Sequence, residues 1–178
     1  AKLNYAEQAL RRRDKHPAVV FKSEDRPQEV LTYEELYRSV SSVACGLKRL
    51  GVKKGDRVVA YMPNIPETLI AFLAVASIGA IWSSCSPELG IRSVAERFHQ
   101  IKPTVLFAVD GYTFGGRTFN RIQTVADLCG ELPTLKHVVM VPYLSDRSSP
   151  GIPGHVVSWQ DLSDEGPLDF EPVSFEHP

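Results

Sequence analysis

Hydrophobic positions recur with a helical period in the first third of the chain. The recurrence is clearest on one face at i, i+3 and i+4 spacing, at Leu36, Val40, Val43, Ala44, Leu47 and Leu50. Thr32 and Glu35 match the T-x-x-E capping box that begins many helices. Gly51 then supplies a residue that tolerates the left-handed conformation in which helices often end. The pattern predicts an amphipathic helix that begins after Thr32 and ends before Gly51.

The next stretch, residues 51–101, contains continuous apolar runs in place of the alternating polar and apolar positions of the first helix. Residues 57–62 are rich in β-branched and aromatic side chains and predict a buried strand. Residues 69–78 are apolar on nearly every side, which predicts a buried helix rather than a surface helix. A second short strand is expected to start within residues 80–82. Two buried strands joined by a helix form a parallel crossover unit, so both faces of the sheet need cover.

Shorter patterns place further elements before and after this unit. The predicted helices span residues 3–14, 87–101 and 118–129, and the last of them is weak. The predicted strands span residues 18–22, 29–31, 105–109 and 137–141, and the first two are expected to pair as a hairpin. Ser86, Pro87 and Glu88 have the order of N-cap, first-turn proline and dipole-matched acid, so we expect a helix to begin there. The order of elements predicts an α/β fold with a largely parallel sheet flanked by helices.

A change of composition near residue 142 predicts two segments. The 178 residues are enough for one domain with a buried core. From Pro142 onward prolines and glycines are frequent, and the chain is acidic and poor in apolar residues. We predict an α/β unit over residues 1–142 and a loop-rich acidic connection over residues 143–178, with one short turn of helix at residues 159–162. We also expect the chain to represent a truncated protein.

Charge and composition exclude several classes of function. The net charge of −1 offers no electrostatic basis for binding nucleic acid or an anionic membrane. The longest apolar run, residues 69–82, is shorter than the roughly 20 residues that span a bilayer. The three cysteines, Cys45, Cys85 and Cys129, lie far apart and form no C-x-x-C pair. An odd, sparse set of cysteines without a recognisable secretion signal predicts a cytoplasmic protein.

Few residues have the spacing of a known catalytic or metal site. The sequence contains no G-x-x-x-x-G-K-[ST], G-x-G-x-x-G or G-x-S-x-G motif, and its five histidines show no metal-ligand spacing. Asp110 follows a predicted parallel strand, where α/β folds bind ligands, but an acid before a glycine is more often a turn residue. We interpret Ser83, Ser84 and Ser86 as capping and turn residues. A structural role is predicted for His137 at the start of a strand.

The most suggestive polar stretch is Phe114-Gly115-Gly116-Arg117-Thr118. Gly115 and Gly116 leave backbone N–H groups accessible, Arg117 adds a positive charge, and the predicted helix that follows adds its dipole. These are the components of an anion-binding site, with Gly115, Gly116 and Arg117 as its candidate residues. A hairpin turn, or a turn that leads into a helix, explains the two glycines equally well.

A longer resemblance extends these observations. Residues 31–90, which begin LTYEELYRSV and end CSPELG, resemble the N-terminal region of adenylate-forming acyl-CoA synthetases. Within that family, LNYAE (3–7), IWSSCSPELG (81–90) and ERFHQIKPTVLFAVDGY (96–112) are most similar to members that activate acetoacetate. The resemblance covers nearly the whole chain. It implies that the fold is the N-terminal part of the large domain of these enzymes.

The resemblance implies an AMP-forming acid–thiol ligase that works in two steps. In the family a carboxylate and ATP form an acyl-adenylate and diphosphate, the thiol of CoA then displaces AMP, and Mg2+ is required. The family's Ser/Thr/Gly-rich phosphate loop, aromatic-Thr-Glu triplet, ribose-binding Asp and C-terminal Lys are missing from this sequence. The chain resembles about the first quarter of such an enzyme. We therefore predict that it contains no catalytic residue and no metal ligand, and that it is inactive alone.

One contact to CoA is implied by the same resemblance. In acetate-activating relatives an R-x-G-R/K segment after the corresponding strand contacts the CoA nucleotide, and here the segment reads Phe114-Gly115-Gly116-Arg117. Phe114 replaces the first arginine of that segment. The resemblance therefore implies that Arg117, with Gly115 and Gly116, contacts a phosphate of CoA.

The expected partners follow from the resemblance and from the charge of the chain. They are small-molecule substrates and the remainder of the protein's own chain, whereas nucleic acid and membranes are not expected; the oligomeric state is left open. Two alternative functions stay open as well. One is a ligase for another short-chain acid such as acetate or propionate, and the other is a non-catalytic module that binds CoA or a nucleotide.

Overall fold

The computed structural model describes residues 2–144, 151–163 and 166–174. Its helices are α1 (Tyr5–Ala9), α2 (Tyr33–Arg49), α3 (Pro66–Ser77), α4 (Ile91–Ile101), α5 (Ile122–Glu131) and α6 (Trp159–Leu162). Its strands are β1 (Lys2–Leu3), β2 (Pro17–Phe21), β3 (Glu29–Thr32), β4 (Arg57–Tyr61), β5 (Ile81–Cys85), β6 (Val105–Val109), β7 (Gly111–Phe114), β8 (Arg117–Asn120), β9 (His137–Val141), β10 (His155–Ser158) and β11 (Val173–Ser174). The alternation of helices and strands confirms the predicted α/β class.

Five of these strands form one parallel sheet in the order β10-β9-β6-β4-β5. The chain passes from β4 to β5 through α3 and from β5 to β6 through α4, as parallel strands require. All residues of β6 are buried, because this central strand is covered on both faces. The predicted, largely parallel sheet flanked by helices is confirmed.

Alternate residues of each central strand face two separate hydrophobic clusters. In β4, Val58 and Ala60 pack in a cluster with residues of α2 and α3, whereas Val59 and Tyr61 pack in a cluster with residues of α4 and α5. This alternation follows from the period of two in a β-strand. Full burial of one large apolar side chain contributes about 1.5–3 kcal/mol. The two clusters therefore hold helices against both faces of the sheet.

Helix α2 has the predicted start and end. The Thr32 hydroxyl accepts the backbone N–H of Glu35 at 3.2 Å, and the Glu35 carboxylate accepts the backbone N–H of Thr32 at 2.8 Å. Gly51 follows the helix with a φ of 84°. Within the helix Gly46 lies against α6, where a Cβ at this position would stand 1.7 Å from the backbone oxygen of Leu162. Position 46 therefore has room for glycine alone.

Two predicted helices near the amino terminus have different boundaries in the structure. Helix α1 covers residues 5–9 instead of the predicted 3–14, because Leu3 belongs to β1 and Asn4 caps the helix. Helix α3 begins at Pro66 instead of residue 69. A proline at the first helical position loses no hydrogen bond, since that N–H has no partner within the helix.

Two later helices begin after their predicted starts. The predicted N-cap at Ser86, with Pro87 and Glu88 in a first turn, is wrong, because these residues form a loop and α4 begins after Gly90. The predicted helix over residues 118–129 is displaced to α5, because Thr118 pairs with Thr113 across the β7–β8 hairpin. In the first case Tyr61, distant in sequence, holds the loop at Pro87 and Leu89. In the second case the pairing of two strands within one hairpin overrides the local helix signal.

The segment after residue 142 contributes two strands, β10 and β11, that the sequence does not predict. β10 pairs in parallel with β9, from His155 opposite His137 to Ser158 opposite Met140. The short helix predicted at residues 159–162 is confirmed as α6. β11, in the same segment, pairs antiparallel with β1. The division of the chain at residue 142 stays a prediction, and the fifth strand of the sheet comes from beyond it.

Candidate ligand site at the carboxyl edge of the sheet

The carboxyl ends of β4, β5, β6 and β9 meet at one edge of the parallel sheet. Open α/β sheets bind ligands in the crevice outside this edge. The candidate residues Asp110, Gly115, Gly116 and Arg117 all follow β6 directly along the chain. Their contacts show which of them hold the fold and which face solvent.

Asp110 holds three segments together at this edge. The residue is 1% exposed, and its carboxylate accepts the backbone N–H groups of Tyr143 at 2.7 Å and Leu144 at 2.9 Å. Its backbone oxygen accepts the N–H of Arg121, just before α5, at 2.7 Å. Of the two roles that the sequence left open for Asp110, these contacts support the structural one.

The loop that follows β5 is fixed by two polar side chains. The Tyr61 hydroxyl lies 2.8 Å from the carbonyl oxygen of Pro87 and 3.0 Å from that of Leu89. Arg121 Nε donates to the same Pro87 oxygen at 2.8 Å. Burial raises the pKa of Tyr61, so its hydroxyl remains a donor at neutral pH. The loop after β5 is thereby tied both to the sheet and to the residue that precedes α5.

The predicted anion-binding residues form the turn of a β-hairpin. β7 and β8 pair antiparallel with Phe114 opposite Arg117, and Gly115 and Gly116 have φ values of 58° and 69°. Two successive positive φ values define a two-residue type I′ turn, which glycine adopts without strain. Helix α5 begins only at Ile122, so no helix dipole acts on the two glycines and that part of the predicted site is wrong.

One N–H group of this turn already binds a carboxylate. The backbone N–H of Gly116 donates to Glu24 Oε2 at 3.0 Å, from the connection between β2 and β3. Arg117 is exposed and forms no ion pair with any residue in the described ranges. Phe114, beside the turn, is 65% exposed. The tip of the hairpin therefore carries an exposed cation, Arg117, and a backbone N–H group, that of Gly116, whose partner is the carboxylate of Glu24.

The connection between β2 and β3 also contacts the end of β9. The Tyr143 hydroxyl donates to Asp25 at 2.9 Å, and the Arg26 guanidinium lies 4.3 Å from the centre of the Tyr143 ring. Arg26 pairs with Glu67, in the first turn of α3, at 3.5 Å. Slight burial raises the pKa of Asp25, but hydrogen bonds, first from Ser23 and then from Tyr143, outweigh it and leave the pKa below its ordinary value. Asp25 is therefore ionised at neutral pH.

Burial makes the Cys129 thiol a poor nucleophile. Cys45, Cys85 and Cys129 are free, and Cys85 is buried. Burial raises the pKa of Cys129 to about 11, so little reactive thiolate forms near neutral pH.

Residues 2–144, 151–163 and 166–174 contain neither a metal-binding cluster nor a membrane-spanning helix. Within these ranges no group of three or more His, Cys, Asp or Glu side chains is placed to hold a metal ion. None of the helices described there has the length and the apolar character needed to cross a membrane.

Comparison with known proteins gives the family. The sequence matches the family model of AMP-binding enzymes over residues 5–168. The chain belongs to this family.

Among AMP-binding enzymes, the chain is similar to acetoacetyl-CoA synthetases. It is 39% identical to the acetoacetyl-CoA synthetase of Gallus gallus and 40% identical to that of Rhizobium meliloti (strain 1021). Each of these alignments covers 100% of this chain and 28% of the relative. A solved structure of acetoacetyl-CoA synthetase from Streptomyces lividans matches with a TM-score of 0.91 and 44% identity, over 100% of this chain and 28% of that one.

The predicted family is therefore confirmed, and so is its fold. The chain spans 28% of the length of the AMP-binding enzymes that it matches, close to the predicted quarter. The assignment of Gly115, Gly116 and Arg117 to CoA stays a prediction.

Sequence reasoning missed the residues of the β2–β3 connection at this site. Glu24, Asp25 and Arg26 lie between the two strands of the predicted hairpin, where the sequence analysis assigns them no role. Tyr143 lies in the predicted loop-rich connection. Asp25 and Tyr143 are 118 residues apart in sequence, so no local pattern joins them. The available signal was the run of three consecutive charges at residues 24–26, which is denser than a hairpin turn requires.

Proposed function

We propose that this chain is part of an ATP-dependent, AMP-forming acetoacetate–CoA ligase. The observation that carries the proposal is the likeness to acetoacetyl-CoA synthetases along 100% of this chain, at 39% and 40% identity in two relatives and 44% in a solved structure. The whole protein would convert acetoacetate, ATP and CoA into acetoacetyl-CoA, AMP and diphosphate through an acyl-adenylate. Acetoacetate, ATP and CoA are then its small-molecule partners.

The hairpin tip is the part of this chain that we assign to CoA. CoA carries phosphate groups, and a guanidinium together with backbone N–H groups is complementary to phosphate. Arg117, Gly115 and Gly116 present these groups at the carboxyl edge of the sheet. Glu24 competes for the same position, because its carboxylate accepts the Gly116 N–H at 3.0 Å. A bound phosphate would have to displace that carboxylate or bind beside it.

The described residues do not fit a site for ATP or Mg2+. The sequence lacks the Ser/Thr/Gly-rich phosphate loop, the aromatic-Thr-Glu triplet and the ribose-binding Asp that the resemblance implies for the ATP site. Within the described ranges it also lacks any group of three or more side chains placed to hold a metal ion. We therefore assign ATP and Mg2+ to the remainder of the protein, which is also the partner of this part, and no catalytic role to a residue here. Because free cysteines are typical of a reducing compartment, we place the enzyme in the cytoplasm.

The test is an activity assay of the complete protein with ATP, Mg2+ and CoA. AMP and diphosphate are measured with acetoacetate, acetate or propionate as the acid, each at the same concentrations. We expect the highest kcat/KM for acetoacetate. A higher value for acetate or propionate would replace acetoacetate by that acid in the proposal. Absence of AMP formation with all three acids would contradict a ligase and favour a non-catalytic module that binds CoA or a nucleotide.

A further inference from the structure

Two histidines meet at the amino edge of the sheet, opposite the edge that carries the hairpin. His137 begins β9 and His155 begins β10, and the two are register partners in the parallel pairing of these strands. Their Nδ1 atoms are 3.1 Å apart, and their ring planes are 85° apart. They are separated by 18 residues in sequence, so spacing motifs could not reveal the pair.

The distance between the two nitrogens suits a shared metal ion. Imidazole nitrogens bind late transition metals at about 2.0–2.1 Å. Two such nitrogens on one ion are then about 2.9 Å apart for an angle of 90° at the metal, and about 3.4 Å apart for a tetrahedral angle. The observed separation of 3.1 Å falls between these values. An ion therefore leaves the separation of the two nitrogens nearly unchanged, and each ring has to turn so that its Nδ1 lone pair points at the metal instead of at the other ring.

We propose that His137 and His155 form a two-histidine binding site for a divalent late first-row transition-metal ion, with Cu2+ bound most tightly. The site lies away from the Gly115–Arg117 turn and does not depend on the function proposed above. Imidazole suits Cu2+, Ni2+ and Zn2+, and affinity at a site of this kind rises to a maximum at Cu2+. Mg2+ is excluded because it prefers oxygen ligands.

The protons of the two rings are compatible with this binding. In the metal-free pair one Nδ1–H donates to the other Nδ1. Transfer of that proton to Nε2 of the same ring gives the other neutral tautomer and leaves both Nδ1 lone pairs available. Burial, first, and the charges of His155 and Lys136 lower the pKa of His137, and the backbone of Leu50 is close enough to raise it by a smaller amount. Metal-binding histidines usually donate their second N–H to an acceptor such as a backbone carbonyl, which fixes the ring and its tautomer.

Two features limit the affinity of the site. Lys136 places a positive charge near His137 and opposes a cation. No third protein ligand stands nearby in the described ranges, so water completes the coordination. The bound ion would link the edge strand β10 to β9. By mass action it would raise the unfolding temperature of the protein.

The test uses the complete protein after removal of bound metals with a chelator. Calorimetry with Cu2+, Ni2+, Zn2+ and Mg2+ is compared for the natural protein and for the single variants His137→Gln and His155→Gln. The variant His99→Gln, which removes an exposed histidine of α4, is the matched control. We expect all three transition metals to bind, Cu2+ more tightly than Ni2+ and Zn2+, and we expect no binding of Mg2+. Each variant of the pair should weaken Cu2+ binding by about tenfold or more, whereas His99→Gln should leave it unchanged.

A spectroscopic readout separates direct coordination from an indirect effect on folding. The electron paramagnetic resonance spectrum of the Cu2+ complex should show two coordinated imidazole nitrogens at this site in the natural protein and one in each single variant. Cu2+ affinity that is the same in all variants would overturn the proposal by placing the ion elsewhere. Absence of Cu2+ binding in the natural protein would also overturn the proposal, and the two histidines would then have only a structural role through their hydrogen bond.

Discussion

The side-chain amide of Asn4 donates to the backbone oxygen of Ser77 at 3.0 Å, across 73 residues of sequence. The same amide group reaches the carbonyl oxygens of Ala76 at 2.9 Å and Glu171 at 2.8 Å. On its other side, Asn4 Oδ1 accepts the N–H of Ala6 at 2.9 Å and caps α1. One buried side chain therefore joins the first helix, the end of α3 and the segment that leads to β11.

Substitution of Asn4 should separate its two roles. Asn4→Ala removes both the helix cap and the amide donors, and we expect the free energy of unfolding to fall by about 2–4 kcal/mol. Asn4→Asp keeps the cap but points a second carboxylate oxygen at the carbonyl groups, so we expect a larger loss. The measurement is urea unfolding of both variants at neutral pH. A stable Asn4→Asp variant would show that the amide donors contribute nothing.

Gly46 and Gly130 form a matched pair of helical glycines. A Cβ at Gly46 would lie 1.7 Å from the Leu162 oxygen, whereas a Cβ at Gly130 would meet nothing within 4 Å. Gly46→Ala should therefore destabilise the protein by about 1–3 kcal/mol or more by forcing α2 and α6 apart. Gly130→Ala should stabilise it by about 0.5–1 kcal/mol through helix propensity. The two thermal unfolding midpoints should move in opposite directions, and a shift of the same sign would refute the packing argument.

Asp110 should contribute more to stability than an exposed aspartate. Asp110→Ala leaves the partly buried N–H groups of Tyr143 and Leu144 without their carboxylate acceptor, which we expect to cost about 1–3 kcal/mol. Asp110→Asn keeps one acceptor oxygen and should fall between the natural protein and the alanine variant. Asp127→Ala, at an exposed position of α5, is the control and should change stability by less than about 0.5 kcal/mol. Equal effects at positions 110 and 127 in chemical denaturation would argue against a structural role for Asp110.

The proposed CoA contact predicts opposite effects for two charged residues. Arg117→Ala should weaken CoA binding to the complete protein by about tenfold, because it removes a charge-assisted contact to phosphate. Glu24→Gln should tighten binding several-fold, since a neutral amide competes less well with phosphate for the Gly116 N–H. Arg92→Ala, on the exposed side of α4, is the control. Calorimetry with CoA measures all three, and an unchanged affinity in Arg117→Ala would exclude this hairpin as the contact.

The capping box of α2 should make stability depend on pH. Hydrogen bonds from the backbone and hydroxyl of Thr32 hold the pKa of Glu35 below its ordinary value of 4.5. The folded protein therefore protonates Glu35 less readily than the unfolded chain does. The stabilisation by the ionised carboxylate is present above pH 4.5 and is lost as the pH falls through the lowered pKa.

The variant Glu35→Gln isolates this effect because it retains an acceptor for the cap but cannot ionise. Urea unfolding of both proteins between about pH 7 and pH 3 should show a constant advantage of the natural protein above pH 4.5 and a shrinking advantage below it. An advantage that persists unchanged at the lowest pH would mean that the charge of Glu35 has no part in the cap.

The sheet and helix α2 could be predicted because their signals are local. The capping box needs only Thr32 and Glu35, three positions apart, and β6 is a run of five apolar residues that the structure buries completely. Periodicity also separates strands from helices without knowledge of their neighbours. The family could be recognised for a different reason. That recognition rests on the similarity of the sequence to known enzymes and not on the local patterns that predict helices and strands.

The sequence could not decide between a hairpin turn and a turn that leads into a helix, because the decisive contacts lie across the turn. Gly115 and Gly116 are compatible with a type I′ turn and with a turn that leads into a helix. What distinguishes the two is the pairing of β7 with β8, in which Tyr112 and Phe119 stack with ring centres 5.0 Å apart. Strand β10 could not be predicted for a similar reason. Its four residues are too few to show a strand pattern, and it is the pairing with β9 that makes them a strand.

The strand order also bears on how the chain is made by the ribosome. Synthesis completes β4 and β5 before β6, yet β6 is the neighbour that covers the other edge of β4. At translation rates of about 5–20 residues per second, the stretch from Cys85 to Val109 takes roughly 1–5 s. During that interval a nascent chain carries an apolar strand with one open edge. Chaperones that recognise extended apolar segments would find their target in this window, before the central strand closes it.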